Sequence, residues 1–179
     1  MNVGVAVFAY NRNTHLRKTL EGLRANRKLD EIYIFQDGLK TEEHRNGWEA
    51  SRQVIASIDW CKVNYFGAEE NKGLACSIVE GIEQVLQEND AVIVLEDDCV
   101  PTACFLDFMS QCFEKYRDNK DVYSISGYAW PIEVQKGMFD IYFTGRASTW
   151  GWGTWKDRWN QYEQDLNILE RIKNDRDKS

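Results

Sequence analysis

Hydrophobic and polar residues follow two alternating patterns along the chain, one typical of buried strands and one of amphipathic helices. Short apolar runs predict strands over residues 3–9, 31–35, 62–66, 91–95 and 122–126. Apolar residues recurring every three or four positions predict helices over residues 14–26, 42–58, 73–87 and 105–116. A further amphipathic helix is predicted after Asp165.

The alternation of strands and helices predicts an α/β fold, a mostly parallel sheet with helices on both faces. Strands that are apolar on both sides, such as residues 91–95, are typical of parallel sheets covered in this way. Ligands of such sheets bind beyond the carboxyl ends of the strands. Polar residues that follow a strand are therefore the first candidates for a functional site.

Three consecutive carboxylates, Glu96, Asp97 and Asp98, follow the most apolar strand. Adjacent negative charges repel one another, so they gain from a cation or from hydrogen-bond donors. Ligands that are all oxygen suit Mg²⁺ or Mn²⁺ better than zinc. The alternative is a solvated acidic turn, but the position directly after a buried strand favours a cation site.

Three more polar residues occupy comparable positions. Asp37, in a Gln-Asp-Gly sequence after the second strand, could accept a hydrogen bond from a nucleobase or ribose, or could simply form a turn. Arg12 and Lys72 each lie close to the start of a predicted helix. A basic side chain at a helix N-terminus attracts a phosphate, and the alternative for both is a solvated surface charge.

The sequence between Trp150 and Trp155 alternates large rings with glycine. Indole rings stack on the apolar faces of sugars, and glycine lets the backbone approach a ligand. The alternative is a packed aromatic corner, and both can hold if one ring is in the core and another at the ligand. Asp157 follows on a predicted helix, where it could reach the site or pair with a neighbour.

Composition narrows the function classes. The 179 residues carry 22 Lys and Arg against 29 Asp and Glu, a net charge of −7, and no basic cluster, which argues against a general nucleic-acid binder. The five cysteines form no C-x-x-C motif, so neither a zinc ribbon nor a thioredoxin site is predicted. Dinucleotide-binding, P-loop and nucleophile-elbow motifs are absent. With neither a signal peptide nor an apolar run long enough to span a bilayer, a cytoplasmic location is expected.

Taken in order, the motifs resemble the GT-A-fold glycosyltransferases, specifically the bacterial family-2-like sugar transferases. They are also similar to the nucleotide-binding half of N-acetylglucosaminyltransferase I. The matching stretches are residues 7–12, 34–38, 71–75, 92–98, 124–128 and 150–155. Each stretch alone is a weak signal, whereas the ordered set is specific.

This resemblance implies an activity and its partners. The chain would transfer a sugar from a nucleotide-sugar donor, expected to be UDP-linked, to a hydroxyl of a saccharide or lipid-linked saccharide, with inversion. Residues 1–179 would form one GT-A catalytic domain, with a nucleotide-binding part over residues 1–100 and the start of an acceptor part over residues 101–179, cut short at its C-terminus. Peripheral association with a membrane is compatible with such an acceptor.

The resemblance also implies roles for the polar residues. Asp98 would bind Mn²⁺ or Mg²⁺, with Glu96 supporting the metal through water. Asp97 would hold the ribose hydroxyls and Asp37 would accept from uracil N3. Arg12 and Lys72 would flank the base and phosphates. Donor sugar or acceptor would contact three residues of the aromatic segment: Trp150, Gly151 and Trp152.

An inverting transferase also needs a general base for the acceptor hydroxyl. Asp157 is the local candidate, but its position does not match the family pattern, so the base is expected beyond Ser179. Two other functions stay open. One is a non-catalytic domain that binds a nucleotide sugar or carbohydrate. The other is a sugar-1-phosphate nucleotidyltransferase, disfavoured because residues 10–14 lack the glycine-rich loop of those enzymes.

Overall fold

The structure, a computed structural model, describes residues 1–26, 29–130 and 141–163. The strands in these ranges are β1 (Val3–Ala9), β2 (Glu31–Gln36), β3 (Lys62–Gly67), β4 (Ala91–Glu96), β5 (Ser124–Ser126) and β6 (Trp152–Trp155). The helices are α1 (Asn13–Arg24), α2 (Arg45–Ala56), α3 (Leu74–Val85), α4 (Phe105–Tyr116) and α5 (Lys156–Trp159), and a 3-10 turn (Glu42–His44) precedes α2. In the described ranges, no helix combines the length and apolarity needed to cross a bilayer. The helix predicted after Asp165 lies outside the described residues.

The strands form one mixed sheet in the order β3-β2-β1-β4-β6-β5. β3, β2, β1 and β4 are parallel, and β6 runs antiparallel to both of its neighbours. Chain order reverses at β1, since β2 and β3 lie on one side of it and β4 on the other. Ligands of open α/β sheets bind at such a reversal, beyond the carboxyl ends of the strands. The crevice here lies between the ends of β1 and β4.

Helices cover both faces of this sheet, as the sequence predicts. On one face α1, α2 and α4 bury a large apolar cluster against inward side chains such as Val7, Ile34 and Ile93. On the other face α3 packs Ile82 and Val85 against a smaller cluster. Because β1 and β4 are buried on both sides, their ends are held rigidly. The loops that follow these two strands therefore start at well-defined positions.

Strand β6 is the main difference from the predicted pattern. Residues 152–155, interpreted from the sequence as a loop or corner, pair with β4 and with β5. A Cβ at Gly153 would lie 2.5 Å from the Val92 carbonyl oxygen and 2.6 Å from the Phe113 ring. Glycine thus lets this strand fit closely between β4 and α4. A Trp-Gly alternation carries no ordinary strand signal, so the pairing was not predictable from periodicity.

Candidate active site

The structure brings Arg12 together with the acidic end of β4. The guanidinium group donates one hydrogen bond to Asp97 and a second, of 2.8 Å, to Oδ2 of Asp98. Phe8 of β1 lies beside Glu96 of β4 in the parallel register, so the loop after β1 and the loop after β4 start side by side. Three residues proposed from the sequence therefore meet at the point where strand order reverses.

Asp97 and Arg12 differ in their exposure, and the pKa of each is raised by a different cause. The Asp97 side chain is 4% exposed, whereas that of Arg12 is 47% exposed. Burial raises the pKa of Asp97, although the hydrogen bond from Arg12 opposes the rise. The same hydrogen bond raises the pKa of Arg12. The backbone is fixed as well, because Thr19 Oγ1 of α1 donates to the Asp97 carbonyl at 2.9 Å.

Asp98 and Glu96 have few hydrogen-bond donors around them. The Asp98 side chain is 43% exposed, and among the residues that the structure describes, only the Cys99 thiol, 4.0 Å away, is a partner of its Oδ1. Among the described residues, none donates a hydrogen bond to the Glu96 side chain, and burial followed by the charge of Asp98 raises the Glu96 pKa. No group of three His, Cys, Asp or Glu side chains in the described ranges converges as a complete metal cage.

The oxygen atoms of Asp98 and Glu96 suit a hard divalent cation that also binds other ligands. Mg²⁺ and similar hard cations use one or two carboxylates and complete their shell with phosphate oxygens and water. Asp98 offers one accessible carboxylate oxygen with unfilled acceptor capacity. The site is therefore suited to an ion that arrives with a phosphate ligand, and it does not by itself enclose one.

Asp37 lies at the end of β2 in a very different environment. The residue is 8% exposed. Its Oδ1 accepts from the backbone N–H groups of Gly38 (2.9 Å) and Lys72 (2.8 Å). Its Oδ2 accepts from the Gly73 N–H and from Nδ2 of Asn71, both at 2.9 Å. The carboxylate is thus surrounded by N–H donors of the protein.

Lys72 lies at the mouth of a cavity beside Asp37. Its Nζ donates to Glu80 of α3 at 2.6 Å, and both side chains are about half exposed. The cavity, about 280 Å³, is lined on one side by Phe35 and Phe66, whose rings stack 4.9 Å apart. A larger cavity of about 390 Å³ lies away from the carboxyl edge, between α3 and α5. Since solvent weakens an exposed ion pair, Lys72 is free to exchange Glu80 for an anionic ligand.

Tyr10 and Gln36 were not among the predicted site residues, yet they hold the loops around the site. Gln36 is 1% exposed, and its amide donates to the carbonyls of Tyr10 (3.0 Å) and Trp48 (2.9 Å). The Tyr10 hydroxyl accepts from the Lys40 N–H at 3.0 Å and bonds His44 at 2.9 Å. The sequence feature that could have indicated this network is the uncharged polar residue Gln36 directly after an apolar run.

An exposed group of aromatic rings lies at the same edge of the sheet. Trp150, Trp130 and Tyr128 contact one another with ring centroids 4.8–5.7 Å apart. They are 49%, 54% and 37% exposed. Their two loops are joined by a 2.7 Å hydrogen bond from the Gly127 N–H to the carbonyl of Gly151. We refer to the three rings as the aromatic platform.

The other tryptophans of this segment are buried or half-buried and pack against neighbouring rings. Trp155 is 2% exposed and packs edge-on against Phe113. Trp152 is half-buried, with its ring 6.2 Å from that of Trp159. The segment thus places one ring in the core and another at the surface, which is the combination that the sequence left open.

Asp157 is not brought to this site. β6 starts beside Val94 near the carboxyl edge and ends beside Ala91 at the opposite edge, so the residue that follows it lies at the far end of the sheet. Its carboxylate accepts from Lys120 (2.6 Å) and Arg158 (2.8 Å). Burial raises the Asp157 pKa, but these two bonds outweigh burial and lower it. The hypothesis that Asp157 is the general base finds no support in this geometry.

Comparison with known proteins identifies the chain at the level of a family. Residues 4–169 match the model of glycosyl transferase family 2. The chain belongs to glycosyl transferase family 2. No curated protein matches this family member in sequence. The resemblance to N-acetylglucosaminyltransferase I stays a prediction.

Solved structures similar to this family 2 chain show the same fold. TarS 1-349 of S. aureus in complex with UDP-GlcNAc is 16% identical, with a TM-score of 0.51 over 76% of this chain and 39% of that one. The mannosyltransferase PcManGT from Pyrobaculum calidifontis in complex with GDP-Man and Mn²⁺ is 14% identical, with a TM-score of 0.52 over 70% and 34%. The match to this chain therefore covers 39% of the TarS chain and 34% of the mannosyltransferase chain.

A nucleotidyltransferase has a similar fold. The 4-diphosphocytidyl-2C-methyl-D-erythritol synthase from Anaerococcus prevotii DSM 20548 is 9% identical, with a TM-score of 0.53 over 95% of this chain and 82% of that one. At such low identity these likenesses establish the GT-A nucleotide-sugar and nucleotidyltransferase fold and nothing finer. The family match separates the two classes, because it rests on sequence along most of the chain.

Proposed function

We propose that this chain is the donor-binding domain of a glycosyltransferase that moves a sugar from a nucleoside-diphosphate sugar, a UDP-sugar in our proposal, to an acceptor hydroxyl. The observation that carries the proposal is the meeting of Arg12 with Asp97 and Asp98 at the strand-order reversal. A basic and an acidic group in contact there can serve a diphosphate and its counter-ion together. The family match supports the class of reaction.

The residues at the end of β4 have separate roles in this proposal. Asp98 offers its accessible Oδ1 to Mn²⁺ or Mg²⁺, and Glu96 acts on the same ion through water. When bound, such an ion neutralises the charge that develops as the nucleoside diphosphate leaves. Asp97 orients Arg12 and lies where a ribose hydroxyl could approach. Arg12, half exposed, can turn one arm from Asp98 towards a phosphate oxygen.

Lys72 and the aromatic platform complete the site. The Nζ of Lys72 would leave Glu80 for the donor, since both partners are solvent-exposed. Trp150, with Gly151 and Trp152 behind it, would present a flat apolar surface to the sugar of donor or acceptor. The platform is close to the acidic motif, because Trp152, two residues after Trp150, pairs with Val94, two residues before Glu96. Transfer with inversion requires the acceptor hydroxyl to attack the anomeric carbon from the face opposite the leaving diphosphate, while a general base takes its proton.

Calorimetric titration of UDP tests the proposal most directly. The chain is titrated in Mn²⁺ and again in EDTA, and Asp98→Asn is compared with Asp118→Asn, an exposed acid on the loop after α4. We expect binding that needs Mn²⁺, is lost at least tenfold in Asp98→Asn and is retained in Asp118→Asn. A folded wild-type chain that binds UDP equally well in EDTA contradicts the metal role. A folded wild-type chain that binds no UDP in either condition contradicts the proposed UDP-sugar donor.

A second candidate is a domain that binds the nucleotide sugar without transferring the sugar. The remote position of Asp157 favours it, because that residue was the local candidate for a base. Hydrolysis of UDP-sugars by the chain, measured as Mn²⁺-dependent release of UDP, separates the two. Release that disappears in Asp98→Asn supports the transferase, and binding without any release supports the second candidate.

A further inference from the structure

One side of helix α1 holds the loop that follows the acidic motif. Thr19 and Gly22 are on α1, and Asn26 follows its last turn. Their spacing of three and four residues places all three on the same side of the helix. Thr19 and Asn26 are buried. We refer to these three residues as the α1 stripe and to residues 97–104 as the acidic loop.

The first two members of the α1 stripe contact the acidic loop on both sides of Asp98. Thr19 donates a hydrogen bond of 2.9 Å to the Asp97 carbonyl. A Cβ built on Gly22 would lie 2.7 Å from the carbonyl oxygen of Pro101 and 2.9 Å from its Cδ. Only glycine therefore lets the helix approach the loop this closely. The loop packs directly on α1 before and after the metal-binding candidate.

Asn26 fixes the end of the acidic loop with both ends of its side-chain amide. Its Nδ2 donates to the carbonyls of Gly22 (2.8 Å) and Thr102 (2.9 Å). Its Oδ1 accepts the N–H of Leu106 at 2.9 Å. Leu106 is in the first turn of α4, where backbone N–H groups lack partners within the helix, and the N-cap Cys104 supplies no side-chain bond. Asn26 thus caps α4 from outside and ties it to the acidic loop.

Helix α1 also holds the acidic motif from its other end. Its N-cap is Arg12, whose guanidinium group donates to Asp97 and Asp98. Arg12 and Asn26 are separated by about 20 Å of helix. The backbone on either side of Asp98 is therefore fixed by contacts with a single rigid element. A shift of the loop at the Asn26 end would move the Asp98 carboxylate relative to Arg12.

We propose that Asn26 is a positioning residue for the divalent cation, because it fixes the acidic loop and thereby sets where the Asp98 carboxylate is presented. The inference rests on the proposed function, which gives Asp98 the metal. In this role Asn26 acts through the backbone of the loop and touches neither the cation nor the nucleotide. Its loss should weaken the hold on Mn²⁺ and leave the preference for one nucleobase unchanged.

Hydrogen exchange of the nucleotide-free chain in EDTA tests the loop contact without any ligand. Asn26→Ala removes the side-chain amide, and Asn46→Ala, an exposed asparagine on α2, is the matched control. In Asn26→Ala alone, we expect about tenfold faster exchange at Leu106, which loses its acceptor. Exchange at Cys99, whose N–H donates to the Glu96 carbonyl at 3.0 Å, should accelerate as well. Unchanged exchange at Cys99 would show that the acidic motif is held independently of Asn26, and it overturns the proposal.

The Mn²⁺ requirement of UDP binding tests the positioning role itself. Equilibrium dialysis measures bound UDP over a series of Mn²⁺ concentrations, with each variant shown to be folded by circular dichroism. We expect the Mn²⁺ concentration at half-maximal binding, the Mn²⁺ midpoint, to rise about tenfold in Asn26→Ala and to stay unchanged in Asn46→Ala. The ratio of UDP to CDP affinity at saturating Mn²⁺ should stay the same. A purely structural residue would leave the midpoint of the folded protein where it is, so an unchanged midpoint overturns the proposal, as does a changed ratio.

Gly22→Ala keeps the test decisive if Asn26→Ala does not fold. Alanine favours a helix more than glycine does, so α1 itself is not weakened. The new Cβ would nevertheless press on Pro101 and displace the acidic loop. We expect the Mn²⁺ midpoint to rise in Gly22→Ala and to stay unchanged in Glu21→Ala, an exposed control on the same helix. A folded Gly22→Ala protein with an unchanged midpoint contradicts the proposal. A wild type that binds no UDP at any Mn²⁺ concentration contradicts the proposed donor, whereas exchange at Cys99 still decides whether Asn26 holds the loop.

Discussion

Two strands of this sheet end in aspartate, and their surroundings are opposite. Asp37, after β2, is buried and receives four N–H groups. Asp98, after β4, is 43% exposed and receives one arm of Arg12. Both lie at the ligand-binding edge of an α/β sheet, so position alone does not distinguish them. What distinguishes them is how much of each carboxylate's acceptor capacity the protein has already filled.

This contrast gives a general criterion for acidic residues at strand ends. A carboxylate filled by backbone N–H groups organises the protein, and removing its charge leaves buried donors without partners. A carboxylate with an open oxygen and few donors is available to a cation or ligand, and removing its charge costs the free protein little. The four predictions below test this contrast, from the largest expected effect to the smallest.

The largest effect is expected from removing each charge in turn. Asp37→Asn should lower the free energy of unfolding by about 3 kcal/mol, because several buried N–H groups lose a charged acceptor. Asp98→Asn should change it by less than about 0.5 kcal/mol, because its ion pair is exposed. Urea unfolding in EDTA measures both. Similar losses in the two variants would mean that the two strand ends are equivalent.

Gly38→Ala should have the next largest effect. The new Cβ would overlap the backbone of Glu70 and Asn71, and overpacking of this kind costs about 2 kcal/mol. Gly145→Ala is the control, because a Cβ there meets nothing within 4 Å. Thermal unfolding of the two variants gives the comparison. A Gly38→Ala protein as stable as its control would show that the segment before α3 is loosely packed and that Asp37 does not clamp it.

Thr19→Val should weaken the end of β4 by a smaller amount. The hydroxyl is buried and donates to the Asp97 carbonyl, so its loss should lower the free energy of unfolding by about 1 kcal/mol. Thr19→Ser keeps the hydroxyl and should retain the hydrogen bond. Chemical denaturation distinguishes the pair. A Thr19→Val protein as stable as wild type would show that this hydrogen bond does not stabilise the end of β4.

The smallest effect is a pH dependence at Glu96. Its pKa is raised above the ordinary value of 4.5 because burial and the charge of Asp98 disfavour the ionised form. The wild type should therefore lose stability as pH rises from about 4.5 through the raised pKa, and Glu96→Gln should lose less, because only the raised pKa of Asp97 then contributes at this motif. Unfolding in EDTA at a series of pH values gives the free energy of unfolding of both proteins. The value for Glu96→Gln minus that for wild type should increase as pH rises from 4.5. A difference that decreases with rising pH would show that the folded protein favours the charged form of Glu96.

The sequence alone predicted the layered α/β fold and most of its elements. Apolar periodicity placed β1 and α4 at their observed bounds, Val3–Ala9 and Phe105–Tyr116. The order of elements also placed Arg12 and the acidic motif at the carboxyl edge of the sheet, where the structure has them. These predictions succeed because burial of both sheet faces leaves its mark on nearly every position of a strand or helix. The helix predicted after Asp165 lies outside the described residues.

Only the tertiary structure decided which polar residues meet and how fully each is occupied. No local pattern indicated that residues 152–155 form a strand between β4 and β5. That pairing carries Asp157 to the far end of the sheet and leaves Trp150 beside the acidic motif. Nor could it show that the Asp37 carboxylate is filled by residues 71–73. Acceptor saturation depends on contacts between segments about 35 positions apart, and local pattern carries no information about such contacts.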